Sequence, residues 1–490
     1  MKNESSKQIF KSTSLIGGSQ IINIIIGIFR TKVVALLLGP TGIGIIGIVQ
    51  SMVDLIRNAS GFGINFSGVK NIAEASKDQD LDKISYMATV LKWWAVGTGL
   101  LGAVLTILLC VPLSLYSFGD NSYVLGIASL SIVIFLTAIS AAQITLLQGL
   151  RRIRQMAEAT LIGSLLGTII TLPLYWWLGN KGIIPAMILI SLSSFFVSWV
   201  YTKNIKLNKP RVSIREVFFA GLGMAKLGFF IVINGFVAAG SLYLLRIIIM
   251  SNGGLEYVGL FQAIWAISTF YVSILLNSML ADYFPRLSII HGDINERNKL
   301  MNEQIEIVLL IGTPMLLGML IFAYPIINLL YSSSFIVAVP IFRWHILSSF
   351  LTLIAWPLGV VFLANNKGEY SILAESLKQL VFISFVYFGW KFWGSTVLGI
   401  GYFLAMCINL AIILYFVLYL WGFRYTIINI KYILFFSLVI SIVFLNINIS
   451  DHIILLIVNI AILISLSAFC LVRLNKLIDI KSLVLSRLIK

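Results

Sequence analysis

Charge is scarce in this chain. Asp, Glu, Lys and Arg make up 11% of its 490 residues, where a soluble domain carries roughly 25%. No polar stretch longer than about 20 residues, the length of one membrane span, interrupts the apolar runs, so no separate globular domain fits. Cysteine is scarce as well. Cys110, Cys407 and Cys470 lie inside apolar segments with neither paired nor metal-ligand spacing, and read as three small buried hydrophobes. The histidines, His291, His345 and His452, are too scattered for a metal or catalytic cluster; His345 beside Arg343 reads as a satisfied span-end side chain, with a place in the wall of a chamber as the alternative. No GxxxxGK[ST] loop occurs, which excludes ATP hydrolysis by the usual P-loop route. The stretch "GPTGIGIIG" at 39–47 is Gly-rich but lacks the Lys and the Ser or Thr; its plain role is a tight hairpin. Outer loops are short throughout, which leaves no room for a sizeable extracytoplasmic site. No catalytic residue, metal or cofactor is assigned, and an enzyme is disfavoured.

What the chain has is apolar length. Hydrophobic residues make up 59% of it and the mean hydropathy is +1.00. Fourteen apolar spans are expected between residues 14 and 472, among them 14–38, 43–68, 305–331 and the last pair, 432–450 and 452–472. Only helices satisfy their own backbone groups over such lengths in lipid. The fold class expected is an all-α polytopic membrane protein with about 14 transmembrane helices. Lys2, Lys7 and Lys11 precede the first span as in a signal peptide, but no small-residue cleavage site follows, so the span is expected to stay.

The formal net charge is +16, and its placement decides its meaning. Lys and Arg gather at the N-terminus, in the even-numbered connections and in the tail, whereas the opposite side holds Lys181 and Lys391. By the positive-inside rule both termini are cytoplasmic, and the charge is no sign of nucleic acid. The tail "RLNKLIDIKSLVLSRLIK" is expected to lie along the inner leaflet. A basic linker, "TKNIKLNKPRVSIREV", falls between spans six and seven. A shift of 212 residues carries Gly47, Gln50 and Asn65 onto Gly259, Gln262 and Asn277. Together these predict an N-terminal six-helix bundle over 1–201, a linker over 202–216, a second six-helix bundle over 217–421, and an extra hairpin with the basic tail over 422–490.

Polar residues inside the spans carry the functional signal. Gln50, Asp54, Arg57, Gly61 and Asn65 are spaced 4, 3, 4 and 4, which places them on one face of a helix. The first span answers with Ser19, Asn23, Gly27 and Arg30, with Lys32 close behind, and the eighth with Gln262, Thr269, Ser273 and Asn277. A charged side chain facing lipid near the bilayer centre costs on the order of 2.5–3.5 kcal/mol. Arg30, Lys32, Asp54 and Arg57 are therefore expected to face a water-filled cavity or each other. Asp54 and Arg57 can pair locally. Arg246 and Arg343 lie near the outer ends of spans seven and ten, and Glu375 and Lys378 form a similar pair deeper toward the cytoplasm. The plain alternative is interhelical glue or snorkelling from span ends, and it stays open for Lys92, Lys226 and Arg246. Gly163 and Gly167 make a small-xxx-small packing pattern. A cation excess in an enclosed chamber selects an anion, with phosphate the obvious class.

Several stretches resemble a known family. "KVVALLLGPTGIGIIGIVQ" leading into "GFGINFSGVKNIAEA", then "VGLFQAIWAISTFY" and "YFPRLSII", are similar to the Wzx-type flippases that move lipid-linked O-antigen or enterobacterial common antigen units. These belong to the multidrug/oligosaccharidyl-lipid/polysaccharide (MOP) superfamily, with the MATE exporters. The likeness runs from about residue 10 to residue 425 and implies two bundles around a cavity that opens alternately to each side. It implies undecaprenyl-pyrophosphate-linked glycan as substrate, the bacterial inner membrane as location, and polysaccharide polymerase and chain-length machinery as partners. Lys32, seven residues before Gly39, matches a basic position of the family, and the hairpin after residue 431 departs from its common twelve-helix type. On this reading Arg30, Lys32, Arg57, Arg246 and Arg343 bind the pyrophosphate. Asn23, Gln50, Asp54, Asn65, Gln262 and Asn277 form the polar lining, and Asp54, Glu375 and Lys378 are candidates for ion coupling. The alternatives are a cation-coupled MATE-like exporter, which would need an acid-rich cavity; a non-transporting scaffold, which would need no charged centre; and a membrane glycosyltransferase, which would need catalytic acids near a loop.

Overall fold

A computed structural model of the chain describes residues 2–77, 80–205, 207–208, 212–290, 293–365, 367–449 and 453–478, with backbone alone for 2–21, 77, 214, 225–231, 281, 448–449 and 478. The tail beyond residue 478, three basic residues of the linker, His291 and His452 lie outside the described residues, as do the side chains of Ser19 and Lys226. The chain is all helical, with no strand among the described residues. Fourteen α-helices follow one another: α1 (Lys2–Gly61), α2 (Ile64–Lys77), α3 (Leu81–Phe118), α4 (Val124–Gly149), α5 (Ile153–Leu178), α6 (Ile183–Lys203), α7 (Ile214–Ile289), α8 (Ile294–Ile321), α9 (Ala323–Leu330), α10 (Val339–Ala364), α11 (Gly368–Trp393), α12 (Val397–Trp421), α13 (Ile427–Ile449) and α14 (Ile453–Ile478). Ten continuous helical stretches are long and apolar enough to cross a membrane, several carrying two expected spans each.

Among the described residues the fourteen expected spans fall largely on helix, but the chain is divided differently. Spans one and two form the single helix α1, redirected at Gly39 (φ 64°, ψ −169°), with Pro40 opening the second arm. Spans seven and eight form α7, redirected at Gly254 (φ 79°, ψ −177°). The expected glycine-rich hairpins thus shrink to single left-handed residues, a conformation that glycine adopts without the Cβ penalty. Conversely, the second span breaks after Gly61 and the ninth at Phe322.

Two compact units result, one made of Met1–Gly259 with Leu330–Ser332, the other of Leu260–Leu329 with Ser333–Lys490. Within the first, the two redirected turns cross backbone to backbone. A Cβ on Gly259 would collide with the Pro40 carbonyl, and one on Gly44 with the Leu255 carbonyl. This reciprocity aligns the turns by a shift of 215 residues, carrying Gly39 onto Gly254 and Gly44 onto Gly259, rather than the 212 expected from residue identities. On α5, Gly163 and Gly167 face Ser194 and Ile190 of α6, the close packing that small residues permit.

In the second unit α8 packs against α10, α13 and α14. Besides this packing, a buried amide ties the appended hairpin to α8. Asn302 Nδ2 donates to the Asn298 carbonyl at 2.8 Å and the Arg424 carbonyl at 2.9 Å. Its Oδ1 accepts from the Thr426 N–H and from Asn429 Nδ2, each at 2.9 Å. In lipid such a partner set outweighs burial of the same groups alone.

Candidate functional site

The spacing of Gln50, Asp54 and Arg57 forms the contacts it predicts. Arg57 Nη2 lies 3.0 Å from Asp54 Oδ1, and Gln50 Nε2 donates to the other carboxylate oxygen at 3.2 Å. Asn58 adds a bond from its Nδ2 to the Asp54 carbonyl at 2.8 Å. The Arg57 side chain is still 52% exposed despite its partner, so its guanidinium opens onto space and not into packed side chains. The charge of Asp54 also acts on Arg246 of α7, which is 5% exposed.

Beyond Gly61 the expected single stripe is broken, which corrects the placement of Asn65 on the same helix as Gln50. Phe62 (φ 48°) and Gly63 (φ 66°) are consecutive left-handed residues, and α2 starts afresh at Ile64, where the Phe66 N–H finds the Gly63 carbonyl at 3.1 Å. A left-handed non-glycine residue costs roughly 1–2 kcal/mol, and neighbouring aromatic rings offset it. The Phe62 ring meets Trp94 edge-on at 6.4 Å, and Trp94 stacks on Phe218 at 5.9 Å. The Trp94 Nε1–H donates to the Val217 carbonyl at 2.9 Å. Irregular backbone at membrane depth survives where it lines a cavity, and a cavity is there. About 160 Å³ in volume, it is lined by Arg57, Asn58, Ser60, Gly61, Gly63, Ile64, Asn65, Thr98, Ile134, Ala138, Ala141 and Val232.

The remaining candidates are dispersed. Arg30 is half-buried on the first arm of α1, where its charge acts on Tyr175 of α5, and among the described residues no carboxylate pairs with it. Lys32 and Asn23 are also half-buried on that arm. Counted from Gly39 at 1.5 Å per residue, Arg30 lies roughly 13 Å and Arg57 roughly 27 Å along their respective arms, so the two guanidiniums lie at different distances from the turn. Arg343, Gln262, Asn277, Glu375 and Lys378 all belong to the second unit. There Asn277 is exposed, and the hydroxyls of Thr269 and Ser273 turn back onto their own helix.

Glu375 and Lys378 form the expected pair at 2.6 Å, with side chains only 24% and 14% exposed. The second Glu375 oxygen takes the Gln379 amide at 2.8 Å, so both oxygens already hold partners. His345 is fully buried. It stacks on Tyr402 at 4.7 Å, with Phe261 and Trp265 edge-on, a packed aromatic position and not a chamber wall. No group of three or more His, Cys, Asp or Glu among the described residues could hold a metal. The break at 61–63, Trp94 and Thr98 were not singled out from sequence. The pattern Gly-x-Gly inside an apolar span was the one available signal for the break.

Comparisons with known proteins agree with this architecture. A family model described as polysaccharide biosynthesis protein matches residues 33–340. A relative named lipid III flippase, from Escherichia coli strain K12, is 21% identical over 378 residues, covering 74% of this chain and 87% of the relative. An uncharacterized membrane protein in the cps region of Klebsiella pneumoniae is 27% identical over 135 residues, a match spanning 28% of each chain. Among solved structures, one titled lipid II flippase MurJ, inward closed conformation, superposes with a TM-score of 0.70 at 16% identity, covering 94% of this chain and 99% of that one. An inward-facing multidrug resistance MATE family transporter of the MOP superfamily gives 0.64 at 17% identity, covering 81% and 93%.

Proposed function

This chain belongs to the polysaccharide biosynthesis protein family, and from that premise we propose that it is a flippase that carries undecaprenyl-diphosphate-linked glycans across the bacterial inner membrane by alternating access. It is a transporter, not an enzyme. Support comes from the relative named lipid III flippase, from a fold shared with MOP transporters, and from the charges inside the spans. The observation that carries the substrate class is Arg57, half-exposed beside a polar cavity although it already holds Asp54. A half-exposed guanidinium at membrane depth is a costly arrangement with no packing purpose, and its planar fork suits a phosphate.

Because Arg30 and Arg57 lie at different distances from the turn at Gly39, the diphosphate meets them in succession and not together, with Lys32 beside the first and Arg246 beside the second. Asp54 tempers the inner site, so that the anion is held without being trapped. The two termini lie in the cytoplasm, where the basic connections are, and the translocated units pass to polymerase and chain-length machinery. Coupling to an ion is assigned to Asp54 and to Glu375 with Lys378, each carboxylate holding a cation and an amide of its own helix that an incoming ion would displace.

Substrate selectivity tests this reading. Purified protein in sealed vesicles should expose a labelled polyprenyl-diphosphate sugar on the far side and leave an organic cation where it was. Movement of the cation without movement of the lipid-linked sugar would favour a MATE-like exporter instead.

A further inference from the structure

We propose that the cavity at the break between α1 and α2 is a subsite for one pyranose ring, the sugar attached directly to the diphosphate. The inference rests on the flippase reading and adds to it a residue-level basis for sugar selectivity. Size comes first. The cavity measures about 160 Å³, well under the roughly 300–1,000 Å³ of pockets that enclose whole ligands, and close to the roughly 150 Å³ that takes a single benzene ring. Its volume is on the scale of one six-membered ring.

Chemistry separates a sugar from an aromatic ring. A pyranose has a C–H face and a rim of hydroxyls, and the lining offers groups for both. Ile134 and Ala141 of α4 with Val232 of α7 are apolar, while Arg57, Asn58 and Asn65 are polar and the hydroxyls of Ser60 and Thr98 add to them. Asn65 is exposed and makes no hydrogen bond among the described residues, so its amide can both donate and accept. The Asn58 amide N–H is committed to the Asp54 carbonyl, which leaves its Oδ1 as an acceptor. That oxygen sits 2.6 Å from where a Cβ on Gly235 would be, so Gly235 keeps room for it. Arg57 lines the same cavity, so a diphosphate on its guanidinium places the adjoining sugar, and no later one, in this space.

The break is braced from outside the cavity: Phe62 lies against Trp94, and Trp94 against Val217 and Phe218, which holds the backbone on either side of the turn.

Equilibrium binding of two probes to the detergent-solubilised full chain tests the proposal: polyprenyl diphosphate bearing a single pyranose, and bare polyprenyl diphosphate. Asn65→Leu removes the rim contact and Ala141→Leu fills space beside the apolar residues. Both variants should lose about ten-fold in affinity for the sugar-bearing probe, about 1.4 kcal/mol, through a lost hydrogen bond for Asn65→Leu and through steric filling for Ala141→Leu, and stay within about two-fold of wild type for the bare one, which also reports that they are folded. Unchanged binding of the sugar-bearing probe, or equal losses for both probes, overturns the subsite while leaving the flippase reading in place. A wild-type chain that binds neither probe overturns both.

Discussion

Replacing Arg57 with Met removes the one guanidinium that both touches a carboxylate and lines the cavity. In the native chain Arg57 Nη2 is 3.0 Å from Asp54 Oδ1 and the side chain is 52% exposed, so part of its donor set is available to a ligand. A hydrogen bond to a charged group contributes about 1.5–3 kcal/mol. Losing it should weaken binding of a lipid-linked diphosphate by roughly ten- to 150-fold, at 1.4 kcal/mol per decade. A second effect adds to the first. Without Arg57, the Asp54 carboxylate retains the Gln50 amide at 3.2 Å and presents a negative charge to the anion. Asp54→Asn alone should therefore tighten binding and slow release, and the double variant should recover part of what Arg57→Met loses. Titrations of the detergent-solubilised protein with a labelled polyprenyl-diphosphate sugar, repeated at two ionic strengths, measure all four corners of the cycle. The reasoning is refuted if Arg57→Met binds within about two-fold of wild type, or if Asp54→Asn binds more weakly.

Three other changes probe the architecture. Gly259→Ala places a methyl against the Pro40 carbonyl; forcing the backbones apart should cost about 1–3 kcal/mol or more and lower the unfolding temperature in detergent. Gly44→Ala acts on the same crossing, so the double variant should cost less than the sum, and an unchanged melting point in either single variant would contradict the crossing. Lys378→Met leaves Glu375 buried with only the Gln379 amide, a loss of about 3–5 kcal/mol that Glu375→Gln in the same chain should largely restore; additive losses would show that the pair is not coupled. Asn302→Ala removes the partner of the Thr426 N–H and of the Arg424 carbonyl, at about 0.5–1.5 kcal/mol for each hydrogen bond lost, while the Asn429 amide keeps the Asn302 carbonyl. Limited proteolysis in the connection between α12 and α13 should then accelerate, and an unchanged rate would mean that the hairpin is held by other contacts.

What sequence revealed and what it hid divide along a physical line. Hydropathy located every span, because the lipid demands apolar length wherever a helix crosses. The pairing of Asp54 with Arg57 and of Glu375 with Lys378 was legible too, since contacts three and four residues apart are fixed by helical rise alone. The break at Phe62 was not. The stripe keeps its spacing straight through Asn65, and what stabilises a left-handed phenylalanine is Trp94, a neighbour far along the chain. The repeat was visible, but identities at Gly47, Gln50 and Asn65 set a register that the contact between Gly44 and Gly259 replaces. Asn302 carried no sequence signal, because its importance depends on α8 and α13 being adjacent. Arg30 and Arg57 fall on different arms of α1, a division that follows from residue number once the turn at Gly39 is known.

The central claim is that a cationic site on α1 moves a lipid-linked diphosphate through the membrane. Its most direct test is the rate at which a labelled polyprenyl-diphosphate sugar, loaded on one side of sealed vesicles, becomes accessible on the other. Wild-type protein should raise that rate far above protein-free vesicles, and Arg57→Met and Arg30→Met, inserted in equal amounts, should each return it close to that background. Translocation at the wild-type rate by either variant would contradict the account.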